Sequence, residues 1–309
     1  MAQIDRQMAQ PGSIARNQFD KLIYGENHIL SHNNLGGEAS VNATTMDDLK
    51  TYYNSYISPN VAKLHVVGAI SKDEVINSLA ELNDNWTQKT VEFPNIPDSA
   101  SPNASQVYFY DIPGAKQSEI RFGYPALAAT DADFYPAALL NYRLGGGSFA
   151  SQLTQQLREG KGYTYGIRSR FSGSSIKGPF AISSGVRTNV TYESASLVKE
   201  ILEKYGENYT EDDLEVTKSY MIKSGARAFE TLGSKLNMLT NISNYGYAND
   251  YAKKHEDIVR NITVEEIKVL AEKYLNPNKM IYLVVGDAET QMEKLEDLGF
   301  GKPILLNEE

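Results

Sequence analysis

Residues 263–288 read TVEEIKVLAEKYLNPNKMIYLVVGDA, and residues 45–70 read TMDDLKTYYNSYISPNVAKLHVVGAI. The two stretches align without a gap at an offset of 218 residues, and eight positions are identical. A pair of acidic residues also recurs, as Asp47-Asp48 in one stretch and Glu265-Glu266 in the other. A repeat of this length indicates that the chain contains two copies of one structural unit.

Each copy predicts a helix, a turn and a strand. Thr45 or Thr263 caps the helix, and the acidic pair in the first turn suits the positive end of the helix dipole. Apolar residues recur at helical spacing until a proline, Pro59 or Pro277, prevents the helix from continuing. A buried strand follows at residues 64–67 or 282–285. A further helix is expected after Ser71 or Ala288.

The second copy is longer at its front. Its first strand is predicted at residues 106–112, so that 157 residues precede Thr263 when counted from Gln106, whereas only 44 residues precede Thr45. We therefore expect the first copy to be truncated at its N-terminus and the chain to be a piece of a longer protein. A naturally short first domain is the alternative, although a partial sheet would expose an unpaired strand edge.

The domain boundaries follow from the prolines between the copies. Residues 90–105 read TVEFPNIPDSASPNAS, which has three prolines and no helical period and is typical of an extended linker. Residues 1–89 are then the end of a first domain, and residues 106–309 are a complete second domain.

Within the second copy, strands that pair locally are followed by runs of helices. The order predicts an α+β fold with mostly antiparallel sheet and helices on one face. The predicted strands are 120–124 and a hairpin of 163–171 with 179–187. The predicted helices are 131–144, a helix from Ser148 to Gly160, 192–205 and 211–229.

Composition excludes several classes of function. The net charge of −9 and a pI near 5.1 disfavour nucleic acid as a partner and favour basic peptides. The chain has no cysteine, so disulfides, thiol nucleophiles and iron–sulfur clusters are excluded. No apolar run approaches the ~18 residues of a membrane helix. A chain without cysteine fits the cytoplasm and the periplasm equally, so the compartment stays open.

The four histidines predict no metal site. His28 and His32 are four residues apart, but Ser, Asn and Gly surround them, which favours a loop with a solvated or capping role. His65 alternates within the first predicted strand and is expected to be a buried imidazole. His255 lies on a polar helix face. Neither His-Glu-x-x-His nor His-x-x-Glu-His occurs, so we expect no metal or other cofactor to be held by this chain.

One segment could carry chemistry on an amide. Arg158 ends a predicted helix, two glycines turn the chain, and Tyr165 follows on the next strand. A guanidinium and a phenol in one cleft would form a donor set for a carbonyl or carboxylate. Taken alone, an arginine beside Glu159 is more often a solvated charge. Gly145, Gly146 and Gly147 lack the Gly-Lys-Ser/Thr ending of a phosphate loop; they predict a helix corner that another backbone can approach closely.

The stretch from residue 139 to residue 167, LLNYRLGGGSFASQLTQQLREGKGYTYGI, resembles the M16 family of zinc peptidases. That family has a glycine-rich corner, a Leu-Arg-Glu helix end and an arginine and a tyrosine seven residues apart in its C-terminal substrate-binding domain. The segment with Leu22-Ile23-Tyr24-Gly25, Pro59-Asn60 and Val66-Val67-Gly68 is similar to the end of the preceding M16 domain.

The resemblance implies that two homologous α+β domains form one half of a clam-shell, and that the zinc motif lies in another half or subunit. It implies that Arg158 and Tyr165 anchor the substrate carbonyl and assist the tetrahedral intermediate. Gly145, Gly146, Gly147 and Ser148 would bind substrate along the chamber wall, and family substrates lie extended along a strand edge. Because this chain lacks the zinc motif, we expect it to hydrolyse nothing alone.

Two other interpretations remain open. One is a non-catalytic M16-like scaffold, comparable to the core subunits of the respiratory bc1 complex. The other is a peptide-binding or chaperone-like module without turnover.

Overall fold

A computed structural model describes residues 1–306, except for the side chain of residue 226, and its centre is a six-stranded sheet. The strand order is β3-β4-β2-β5-β1-β6. β1 is parallel to both β5 and β6, and the other three pairings are antiparallel. The predicted α+β class with mostly antiparallel sheet is confirmed. The strands are β1 (Gln106–Asp111), β2 (Gln117–Leu127), β3 (Thr164–Phe171), β4 (Gly178–Arg187), β5 (Ile281–Gly286) and β6 (Ile304–Leu306).

The helices precede, separate and follow the strands along the chain. Residues 86–105 contain no helix or strand, and the last three residues of the predicted second domain, 307–309, lie outside the described residues. The helices are α1 (Ala2–Met8), α2 (Pro11–Tyr24), α3 (Glu38–Ala43), α4 (Met46–Tyr56), α5 (Lys72–Ser78), α6 (Ala80–Asn85), α7 (Phe134–Asn141), α8 (Thr191–Asn208), α9 (Glu211–Ala226), α10 (Leu232–Tyr245), α11 (Tyr251–Asn261), α12 (Val264–Tyr274) and α13 (Ala288–Gln291).

The main core lies between the sheet and the layer that contains α7, α8 and α12. Alternate strand residues point into it, as the period of two along a strand requires. We call this side of the sheet the helix-layer face. Its buried strand residues include Val107, Phe109, Ile120, Phe122, Ile167, Phe180, Ile182, Tyr282 and Val284.

The opposite side of the sheet is covered in part by α2, and we call it the α2 face. Ala15, Phe19 and Ile23 recur every four residues along α2, which places them on one side of the helix. They form a second apolar cluster with strand residues that include Leu283 and Val285. The sequence predicted helices on one face only, and the structure adds this helix on the other. A helix from the segment assigned to the first domain thus packs on the sheet of the second.

The first copy of the repeat forms its helix but not its strand. α4 begins at its Thr45 cap as predicted, and the chain turns at Pro59. The predicted strand at residues 64–67 is wrong, because these residues belong to no sheet and are largely exposed. In the second copy β5 lies between β1 and β2, and no described strand occupies either position beside residues 64–67. His65 is accordingly half-exposed, so the prediction of a buried strand imidazole is also wrong.

Candidate functional site

The glycine-rich corner connects α7 to the sheet through unusually close packing. α7 widens at its end into a π-helical turn, Tyr142–Gly146. A Cβ atom on Gly145 would lie 2.3 Å from Ser169 Oγ and 2.5 Å from Ser169 N on β3. Because real Cβ contacts are never this short, only glycine fits here. The glycines therefore have a packing role, and wide helical turns of this kind are frequent at functional sites.

The corner also covers the outer edge of β3. Asn141 Nδ2 donates to the Ser169 carbonyl at 2.8 Å, and Ser169 Oγ donates to Asn141 Oδ1 at 2.5 Å. Thr154 Oγ1 donates to the carbonyl of Ile167 at 3.5 Å. Carbonyl groups of β3 that a peptide strand would need are thus already bonded to helix side chains. The resemblance implied that an extended substrate lies along a strand edge. These residues of β3 are poorly suited to such pairing, because their carbonyl groups already accept hydrogen bonds.

An ion pair holds the corner to α9. Arg143 Nη2 lies 2.6 Å from Asp213 Oδ1, its Nε donates to the same oxygen at 2.7 Å, and its Nη1 donates to the carbonyl of Ala150. Burial opposes ionisation of Asp213, but hydrogen bonds from Thr210 and Arg143 outweigh it and lower the pKa of this carboxyl. Sequence reasoning missed Arg143, because nothing in its spacing separates it from a solvated arginine.

Ser148 follows the glycines in a strained conformation. Its φ of 51° is the one positive φ of a non-glycine residue among the described residues. This left-handed region costs an L-residue roughly 1–2 kcal/mol. The predicted helix from Ser148 to Gly160 is accordingly interrupted: Ser148–Ala150 is a 3₁₀ turn, and Thr154–Gly160 is a second π-helical segment.

Arg158 lies at the end of that second segment and is stacked on an aromatic ring. Its guanidinium carbon is 4.7 Å from the centroid of Phe149, and its Nε is 3.4 Å from Glu159 Oε1. The arginine side chain is 39% exposed. Stacking on a ring restricts a guanidinium while leaving its donors available. Sequence reasoning missed Phe149, although a large apolar residue two positions after a glycine run is a usable signal.

Tyr165 is presented at a bulge of β3. Thr164 pairs with Val186 and Ile167 with Ser184, so Tyr165 and Gly166 together oppose Gly185. The bulge is fixed by Thr164 Oγ1, which donates to the Gly185 carbonyl at 2.7 Å and accepts from Ser184 Oγ at 2.8 Å. Bulges re-aim side chains, and Tyr165 is 88% exposed.

The structure brings the corner, Arg158 and Tyr165 into one connected region, since the corner packs on β3 and the Arg158 segment leads into it. Within residues 1–306, no hydrogen bond, ion pair or ring contact joins the Arg158 and Tyr165 side chains.

The described residues offer no set of three metal-ligating side chains. The capping role predicted for His28 is confirmed, because its Nδ1 accepts the Leu30 amide at 3.1 Å and its Nε2 lies 3.1 Å from the Pro97 carbonyl. His255 stacks on Tyr135 at 3.7 Å, and burial lowers its pKa.

Comparison with known proteins places this fold among the M16 peptidases. The model of the peptidase M16 inactive domain matches residues 43–221, more than half of the chain, and the chain belongs to this family. The chain is similar to the crystal structure of a peptidase M16 inactive domain from Pseudomonas fluorescens. The TM-score is 0.84 and the sequence identity 25%, over 94% of this chain and 69% of that one.

Two curated relatives carry different descriptions. One is a zinc protease of Streptomyces coelicolor, SCO5738, described as uncharacterized; it is 24% identical over 74% of this chain and 50% of its own length. The other is the non-peptidase homolog YmxG of Helicobacter pylori, 24% identical over 84% of this chain and 59% of its own length. The chain therefore spans about half the length of the curated relatives it matches. Within residues 1–306, no helix combines the length and apolarity that crossing a bilayer requires.

Proposed function

We propose that this chain is the metal-free, substrate-holding half of an M16 peptidase, in which Arg158 and Tyr165 bind the scissile carbonyl. The observation that carries the proposal is the Tyr165 side chain, 88% exposed at a fixed bulge beside the corner that the family resemblance singles out. A large aromatic side chain that is this exposed is available to a ligand.

The chemistry assigned to the pair is hydrogen-bond donation. A guanidinium and a phenol both donate, and neither donation requires a change of protonation at neutral pH. Hydrogen bonds donated to a carbonyl oxygen strengthen as negative charge develops on that oxygen, and this stabilises a tetrahedral intermediate. Phe149 orients the guanidinium, while Thr164 and Ser184 orient the phenol through the bulge.

We assign the catalytic zinc to another part of the enzyme. The described residues contain no group of three ligands, so no catalytic step is assigned to a metal held here. We propose that the zinc-bearing half is a partner subunit or another part of a longer polypeptide. Glycines 145–147 and Ser148 are proposed to line the chamber between the halves, since Gly146 and Ser148 are exposed.

A scaffold without turnover is the second candidate. It is favoured by the name of the Helicobacter pylori relative, a non-peptidase homolog that matches 84% of this chain. A scaffold would keep the corner, whose packing is structural, but would not require the hydroxyl group of Tyr165.

The test measures peptide hydrolysis by the assembly that contains this chain and the zinc-bearing half. Arg158→Ala and Tyr165→Phe should each lower kcat by about 10²–10³, as expected for loss of one donor to a developing oxyanion. Arg227→Ala is the matched control for Arg158→Ala, because Arg227 is also exposed but lies directly after α9, and it should leave kcat unchanged. Wild-type rates in both site variants would reject the assigned roles, and an assembly without turnover would favour the scaffold.

The chain alone is tested with added zinc. Because it lacks a ligand set, purified chain should release no product above background. Turnover that a chelator abolishes would contradict the metal-free assignment.

A further inference from the structure

A cavity of 510 Å³ lies on the α2 face, between α2, the loop at residues 30–35 and the β3–β4 turn. Its charged lining comes from two elements. α2 supplies Arg16 and Asp20, one turn apart, and β2 supplies Arg121. This cavity is separate from the glycine-rich corner, and nothing in the proposed mechanism uses it.

Arg121 is incompletely satisfied in the described part of the chain, where Asp20 is the opposing charge that acts on it. Its Nε is buried and makes no hydrogen bond, and no carboxylate lies within ion-pair distance. Its guanidinium carbon stacks 5.1 Å from the ring centroid of Phe19, which holds it at the cavity wall. Burying donors without acceptors is costly. Asp20 acts on Arg121 through charge alone, without an ion pair or hydrogen bond, and Arg16 adds a second positive charge, so the cavity retains a net positive charge and an unused buried donor that an anion from outside these residues could satisfy.

The cavity shares a face of the sheet with Tyr165. Arg121 and Arg168 both pair with Ser183, so they lie on one rung across three strands. Two strand spacings separate them by about 10 Å. Tyr165 lies on the same strand as Arg168, three residues earlier, opposite Gly185 on the α2 face. A peptide held at Tyr165 could therefore reach the cavity with a few extended residues.

Local charge at this region is opposite to that of the whole chain. Residues 142–187 contain seven lysines or arginines and a single acidic residue, Glu159, although the net charge of the chain is −9. Three of these cations, Arg143, Arg158 and Lys177, are neutralised by ion pairs, which leaves four. Arg168 and Arg170 are exposed, two positions apart on β3, and neither makes an ion pair within the described residues. The net charge favoured basic peptides, whereas the surface beside the candidate site favours acidic ones.

We propose that this cavity binds an acidic side chain of the peptide substrate, with Arg121 and Arg16 as its cationic partners. The proposal rests on the proposed function and names its substrate class. A carboxylate would supply an acceptor for the buried Nε of Arg121, and such charge-assisted bonds are short and directional. Asp20 opposes the same ligand by repulsion and sets the limit on its affinity.

The experiment uses fluorescence anisotropy with the purified chain at pH 7.5 and low salt. The probe is a fluorescein-labelled decapeptide of alternating glutamate and alanine, and the reference probe has glutamine for each glutamate. The glutamate peptide should bind at least about tenfold more tightly than the glutamine peptide. Equal affinities for the two probes would overturn the proposal.

Variants locate the site. Arg121→Gln should remove most of the preference, Arg121→Lys should restore part of it, and Asp20→Asn should strengthen binding of the glutamate peptide. Arg16→Gln should weaken binding of the glutamate peptide several-fold. Because Arg16 is exposed on α2, this variant should fold normally even if Arg121→Gln does not. Arg227→Gln is the control, since Arg227 is exposed on the helical layer and should bind as wild type. Full preference retained in both Arg121→Gln and Arg16→Gln would place recognition elsewhere.

The two proposals fail separately. If hydrolysis by the assembly depends on Arg158 and Tyr165 but glutamate and glutamine substrates have equal KM, the acidic substrate class is wrong and the proposed function stands. If Arg121→Gln removes the binding preference while Arg158→Ala leaves turnover unchanged, the acid-binding cavity stands and the roles of the pair are wrong.

Discussion

The two copies of the repeat have the same local pattern and opposite burial. Ile267 and Tyr282 in the second copy are fully buried, whereas their counterparts Leu49 and Leu64 are 55% and 64% exposed. The same reversal holds along the whole helix and the segment after it: Leu270 and Tyr274 are buried, and Tyr52, Tyr56 and Val66 are exposed.

The difference shows which part of the fold is local and which depends on distant residues. α12 and β5 are buried because β5 lies between β1 and β2, whose residues precede the second copy by more than a hundred positions. The first copy has no described strands in those places, so its apolar pattern remains at the surface. Large exposed apolar surfaces of this kind mark sites where another polypeptide packs.

The largest expected effect comes from one matched pair of truncations. Ile267→Ala should lower the free energy of unfolding by about 2–5 kcal/mol, because it leaves a cavity in the main core. Leu49→Ala occupies the equivalent position in the repeat and should cost less than about 0.5 kcal/mol. Urea denaturation of both variants measures the difference.

Similar losses in the two variants would break the comparison, because they would show that the helix of the first copy is buried in solution. The sequence alone could not have decided this. Both helices carry an apolar stripe at the same spacing, and only the neighbours of the stripe differ.

The second prediction concerns α2, the helix of the first segment that packs on the sheet of the second. Burial raises the pKa of Asp20 to about 6, although Arg121 and Arg16 act in the opposite direction. The folded chain therefore binds a proton more tightly than the unfolded chain, whose carboxyl has the ordinary pKa of 3.8. Stability should fall as the pH rises from about 4 to about 6 and then level off, with a total cost of at most about 3 kcal/mol.

Asp20→Asn removes this cost. The variant should unfold at a higher temperature than wild type at pH 8 and at the same temperature near pH 4, as measured by calorimetry. Asp5→Asn on exposed α1 is the control and should leave the pH profile unchanged. A uniform shift at every pH would show that the effect is not ionisation of Asp20.

Much of the fold was predictable from the sequence because it depends on short-range signals. The hairpin of β3 and β4 follows from alternation and turn residues, and β5 follows from a run of six apolar residues. The position of α2 was not predictable, since its stripe of Ala15, Phe19 and Ile23 shows that it is buried but not against which surface. The breaks after α7 and at Ser148 were also missed, because they arise from the contact of Gly145 with β3.

The candidate site shows the same division. The spacing of Arg158 and Tyr165 and the glycine run were visible in the sequence, and the resemblance gave them roles. The residues that position them, namely Phe149, Thr164 and Ser184, have ordinary sequence contexts and become evident only through contacts at long sequence separation. Arg121 was missed for the same reason, since its unbonded Nε can be recognised only once the cavity is formed.

The smallest expected effect tests whether the local part of the repeat is truly independent of packing. Thr45 Oγ1 accepts the Asp48 amide at 3.2 Å, and Thr263 Oγ1 accepts the Glu266 amide at the same distance, so the two caps are equal. Removing a cap costs about 1 kcal/mol of helix stability. Thr263→Ala should therefore lower the free energy of global unfolding by about 1 kcal/mol. Thr45→Ala should instead accelerate hydrogen exchange of the α4 amides. It should leave the midpoint of the main urea transition unchanged, because that transition reports unfolding of the sheet and its core, on which α4 does not pack. A main transition displaced equally by both variants would show that α4 unfolds together with the sheet, and the two copies would then be one cooperative unit despite their opposite burial.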